Sequence, residues 1–129
     1  MPTMPISGND LARFSGPQTF MRLPEANSAE GLNVGFIGVP MDIGTSWRSG
    51  TRMGPKQLRE QSAMIRPYNI QTGAAPFDAL QCADLGDVAI NTFSLSDTIR
   101  LITKTYDAHL EHDFIPMGLG GDHTMTLPI

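Results

Sequence analysis

Apolar residues in this chain fall into short runs separated by long stretches rich in polar residues, glycine and proline. The runs carry two different periods. "NVGFIGVP", residues 33–40, is a continuous β-favouring run closed by Pro40, the pattern of a parallel strand buried on both faces. "ALQCADLGD", residues 79–87, is predicted as a second short strand with a turn after it, and "FIPMGL", residues 114–119, as a third. Pro55 stands where a first helical residue belongs, and Leu58, Ser62 and Ile65 are predicted on that helix's inner face. The clearest helix starts at Ser94, which forms a capping-box-like pair with Asp97 in place of the usual Glu. Leu95, Ile99, Ile102, Tyr106 and Leu110 then recur at helical spacing. "MDIGTSWRSGTRMG" and "RPYNIQTGAAPFD" read as loops. Residues 1–32, where neither period holds, read as an extended arm lying on another surface. Strands alternating with helices over residues 33–129 predict an α/β domain with a parallel sheet.

Composition narrows the partners. Charged residues are only 17% of the 129, while glycine (13) and proline (10) are numerous, so the chain is globular and loop-rich. A net charge of −4 provides no basic footprint, and neither nucleic acid nor an anionic membrane is predicted as a partner. Cys82 is the single cysteine and cannot form an intrachain disulfide, which suits a reducing compartment. No apolar run approaches a membrane span, and "MPTMPISGND" has neither the basic region nor the apolar core of a secretory signal. A soluble, cytoplasmic protein is the expectation.

The chemistry concentrates in "GLGGDHT". The third strand runs into Gly120 and Gly121 and then Asp122 and His123, and ligands in α/β sheets bind at the carboxyl ends of strands. Imidazole is the commonest metal ligand, and a carboxylate beside it can orient it. The alternative is a glycine turn with Asp122 as a helix N-cap and His123 as a loop residue. "DAHLE", Asp107 to Glu111, has the residue types of a metal-binding strand end but lies inside the strongest helical pattern. At about 100° per residue, His109 falls roughly 200° from Asp107, so histidine and carboxylates face apart and cannot share an ion. Asp107 and Glu111 are therefore predicted on a solvated helix surface. Arg48 and Arg52 flank glycines in the loop after the first strand, where they either bind anions or hold the loop through salt bridges. Trp47 is predicted as a packed loop anchor and Cys82 as a small buried hydrophobe. No phosphate-binding P-loop and no nucleophile elbow is present.

Taken together, "GVPMDIGTSWRSGTRMGPKQLREQS" and "LGGDHTMTLPI" resemble the N-terminal part of the arginase/agmatinase (ureohydrolase) family. "ARFSGPQTFMRLP" and "MIRPYNIQTGAAPFDALQCADLGDVAINTF" look most like its guanidinobutyrase branch, and next most like agmatinases and guanidinopropionases. The resemblance implies a three-layer αβα fold around a mostly parallel sheet, assembled as trimers or hexamers. It also implies two Mn²⁺ ions that activate a shared water for attack on the guanidinium carbon of a small guanidino substrate, most closely 4-guanidinobutanoate, releasing urea and a primary amine. Only His123 carries over as a metal ligand, with Asp122 supporting it, and no catalytic residue carries over. Family members continue to D-A-H-x-D and D-x-D motifs that supply the other ligands, and neither follows here. "DAHLE" precedes GGDH and is no substitute. The expectation is therefore the N-terminal part of a hydrolase that is inactive as 129 residues alone. The other reading is a non-catalytic ureohydrolase-like piece that assembles with other subunits.

Overall fold

A parallel run buried on both faces needs a neighbour on each edge and a layer on each side, and the first strand has both. In the computed structural model, which describes residues 3–129, β1 (Val34–Val39) lies between β2 (Cys82–Asp87) and β3 (Ile115–Gly120), all parallel. Val34 is in register with Cys82 on one side and Ile115 on the other. Alternate β1 side chains point to opposite faces. Ile37 and Val39 pack with Met41, Val88, Ile102 and Tyr106, and the last two belong to α3 (Leu95–Leu110). Phe36 faces the other way, into a cluster with Leu23, Phe77, Cys82 and Leu119. α1 (Gly54–Ser62) packs against β1 and β3 and against the turn Phe20–Arg22 of the arm. Helices on both faces of a parallel sheet make the three-layer αβα arrangement.

The local signals act as expected at several points. The Ser94 hydroxyl accepts from the Asp97 amide at 3.2 Å and starts α3. Pro55 occupies the first turn of α1, where its missing N–H costs nothing. Other points need correction. The buried residues of α1 are Pro55, Arg59 and Ser62, whereas Leu58 and Ile65 are exposed. On α3 the buried stripe is Thr98, Ile102 and Tyr106, and Leu95 and Leu110 face outward. Thr98 tolerates burial because its hydroxyl donates to the Asn91 carbonyl at 2.8 Å and accepts from the Asn91 amide at 3.1 Å. The stretch read as one loop before β2 contains a single helical turn, α2 (Pro76–Ala79). The arm bridges to β2 at Glu25–Asp84 and buries Leu23 and Ala29 completely. No helix among the described residues is long and apolar enough to cross a membrane.

Candidate functional site

From β1 the chain crosses to β2 on one side, and β3 is laid down on the other. The carboxyl ends of β1 and β3 therefore flank the topological switch point, where α/β sheets bind ligands. Two loops meet there. Gly121 has φ +82, and a Cβ at that position would strike the carbonyls of Val39 and Met41. The Asp122 amide donates to the Met41 carbonyl at 2.8 Å, locking the two loops together. Gly54, at the start of α1, sits so close to the Gly120 carbonyl that any side chain would displace one or the other.

Asp122 is buried and fully engaged. One carboxylate oxygen accepts from the Gly44 amide and the other from the Thr124 amide, each at 2.8 Å. Burial works to raise its pKa, but the bonds from Thr124 and Gly44 outweigh it and hold the carboxyl below its usual range. Asp122 thus caps the turn His123–Thr126 and ties it to the β1 loop. His123, next in the chain, is exposed, and its Nδ1 lies 3.0 Å from the Thr126 hydroxyl. An exposed imidazole fits the role of one metal ligand. Asp122, with both oxygens taken by amides, fits a supporting role. Among the described residues no group of three or more His, Cys, Asp or Glu side chains could hold a metal ion.

A second buried aspartate shapes the β1 loop. Asp42 accepts from Arg52 Nε and the Gly50 amide, each at 2.7 Å, with Arg52 Nη2 2.6 Å away. The Arg52 hydrogen bond first, then the Gly50 amide, lower its pKa to about 2. Arg52 is therefore a loop fastener, whereas Arg48 is exposed. Trp47 corrects its expectation: it is 86% exposed and anchors nothing among the described residues. The loop is held by backbone amides on Asp42 and Asp122, so it needs no aromatic plug.

The remaining candidates lie elsewhere. His109 and His112 sit at the α3–β3 junction, at the amino end of β3, whereas His123 follows its carboxyl end. His109 meets the Phe114 ring edge-on, and burial together with His112 lowers its pKa. Asp107 and Glu111 are exposed at the end of α3, as the helical angle required. Cys82 is buried, and burial raises its thiol pKa. Sequence reasoning missed Arg59, whose Nε and Nη2 reach the two Asp84 oxygens at 2.8 and 2.9 Å, with Nη1 at 2.5 Å from Asp87. Burial opposes the Arg59 charge, but the bonds to Asp84 and Asp87 prevail and raise its pKa. The available signal was a pair of aspartates, Asp84 and Asp87, in an otherwise apolar strand.

Fold and corner define a class: a three-layer α/β protein with a histidine presented at the β1/β3 switch point. The arginase family model matches residues 32–129, and the chain belongs to the arginase family. It is 57% identical over 128 residues to a guanidinobutyrase from Pseudomonas aeruginosa, covering 97% of this chain and 40% of that protein. It is 48% identical over 126 residues to a mitochondrial agmatinase from Gallus gallus, covering 98% of this chain and 37% of that one. Proclavaminate amidino hydrolase from Streptomyces clavuligerus superposes with a TM-score of 0.82 at 35% identity, over 90% of this chain and 39% of its own. The chain thus spans about 40% of the length of the guanidinobutyrase it matches.

Proposed function

We propose that the whole protein hydrolyses a linear guanidino acid, 4-guanidinobutanoate, to urea and 4-aminobutanoate, and works as a cytoplasmic homo-oligomer of three or six chains. The observation that carries this reading is the 57% identity to a guanidinobutyrase along nearly the whole chain, which includes the Gly120–His123 corner. His123 would hold one of two Mn²⁺ ions, and the other ligands would come from outside these residues. When bound, such ions would acidify a water at neutral pH and supply a hydroxide nucleophile for the guanidinium carbon.

This chain's own residues build the support for that chemistry. Asp122 stays ionised and gives both oxygens to amides, so the turn carrying His123 keeps a fixed position relative to the β1 loop. Asp42 and Arg52 hold the other end of that loop. The Thr126 hydroxyl at Nδ1 restrains the imidazole ring. A fixed ring orientation matters because misplacement by about 1 Å can cost about 100-fold in rate.

Agmatine hydrolysis is the second reading, favoured by the 48% identity to the chicken agmatinase. Relative kcat/KM on manganese-loaded whole protein for 4-guanidinobutanoate, 3-guanidinopropanoate, agmatine and arginine separates the two. The guanidinobutanoate value is expected to be highest. A clear preference for agmatine contradicts the proposal.

A further inference from the structure

We propose that Arg22 is the core of an oxyanion site beneath the arm, entered from the cavity between the arm and α1 and separate from the Asp122–His123 corner. Arg22 is 2% exposed, and its Nε, Nη1 and Nη2 are all buried with no hydrogen-bond partner among the described residues. A guanidinium carries five N–H donors and a permanent charge, so burying it without an acceptor is strongly unfavourable. Arg59, the other buried arginine among the described residues, shows the usual outcome: it meets Asp84, Asp87 and the Gly86 carbonyl. Arg22 has the burial without the acceptors.

The turn that carries Arg22 is fastened on several sides. The Met21 amide donates to the Ser62 hydroxyl at 2.7 Å and the Arg22 amide to the Thr19 carbonyl at 3.0 Å, while the Arg22 carbonyl accepts from the Ile6 amide at 3.3 Å. Met21 and Arg22 have φ of +51 and +60, a region that residues with side chains avoid. The fold thus accepts backbone strain to hold an unpaired cation in place, the pattern of a binding site awaiting its ligand.

A cavity of about 830 Å³ between the arm and α1 runs up to this guanidinium. Gly16 forms part of its wall, and a Cβ there would stand 3.6 Å from Arg22 Nη2. The same Cβ would strike Leu11 Cδ2, so one flexible, partly exposed side chain fills the gap, and its rotation leaves Nη2 facing the cavity. Charge favours an anion there. Arg13 and Lys56 line the cavity with Glu60 as its one carboxylate, and Arg59 is already neutralised by its aspartates. Arg13 gives Nη1 to the neutral Ala63 carbonyl, so its charge is also uncompensated. The ligand class is a phosphate or carboxylate, whose paired oxygens match the guanidinium fork, with Lys56 or Arg13 as a second cation.

Isothermal titration of the manganese-loaded whole protein with sulfate and with acetate, at constant ionic strength, tests the site. Sulfate stands for a tetrahedral oxyanion and acetate for a carboxylate. Saturable binding of at least one is expected, weakened at least tenfold in Arg22→Met, about threefold in Lys56→Met, and unchanged in His123→Ala. Arg22→Met removes an unpaired buried charge, so its anion-free melting temperature should equal or exceed the parent's. The rise of about 3 °C expected for the parent at tenfold over Kd should vanish in that variant. No saturable binding in the parent, or equal affinity in the parent and both cation variants, overturns the proposal. Binding lost in His123→Ala overturns it as well, by placing the anion at the metal corner. So does a lowered melting temperature in Arg22→Met with anion affinity intact, because Arg22 would then be satisfied from within the protein. If Arg22→Met does not fold, Lys56→Met on the exposed face of α1 decides, and unchanged affinity there overturns the site.

Discussion

Asp42 shows how one residue sets the working range of a loop. Its carboxyl is held at about 2, first by the Arg52 hydrogen bond and then by the Gly50 amide, against an ordinary value of 3.8. A carboxyl depressed in the folded state contributes stability that is complete above its unfolded pKa and lost as pH falls toward the folded one. The window therefore runs from about 4 down to about 2. Asp122 is depressed in the same direction and adds to the same slope. The melting temperature is expected to fall steeply across that window, and Asp42→Asn should flatten part of the fall by removing one titrating group. Identical pH slopes in the parent and Asp42→Asn would show that Asp42 is not protonating in this range.

Elements are fastened to one another by a buried charge cluster and by apolar contact. Arg59 on α1 reaches Asp84 and Asp87 on β2, and Asp84 also accepts from the Phe20 amide of the arm at 2.7 Å. Removing one partner strands a buried charge and costs about 3 kcal/mol. Asp84→Asn or Arg59→Ala should each lower the denaturant midpoint accordingly, and a loss below about 0.5 kcal/mol would mark the cluster as no stronger than a surface ion pair. The same cluster explains what the sequence concealed. Strands were legible because β1, β2 and β3 are short apolar runs with turn signals, and α3 because Ser94, Ile102 and Tyr106 keep helical spacing. The inner face of α1 was not, because hydrophobic periodicity assumes an apolar inside, and here the buried side chain is an arginine whose partners lie 25 and 28 residues away. The α3 stripe shifted for a related reason: buried Thr98 is satisfied by Asn91, a partner that periodicity does not see. The GGDH corner was legible as a strand end with glycines. The inter-loop bonds of Asp122 to Gly44 and of Asp42 to Gly50 were not, because they depend on which strands are neighbours.

At the scale of the whole molecule, the fold gathers the ends of β1 and β3, the start of α1 and two ionised aspartates around one exposed histidine, and leaves His109 and His112 at the other end of β3. The central claim is that this corner is one wall of a manganese site and that His123 is the ligand this chain supplies. Manganese bound per chain of the whole protein, measured by elemental analysis on the parent, His123→Ala and His109→Ala, tests it directly. The account predicts about two ions in the parent and in His109→Ala, and a loss of at least one ion in His123→Ala together with most urea release. Full manganese occupancy in His123→Ala, or equal losses from both substitutions, would contradict it.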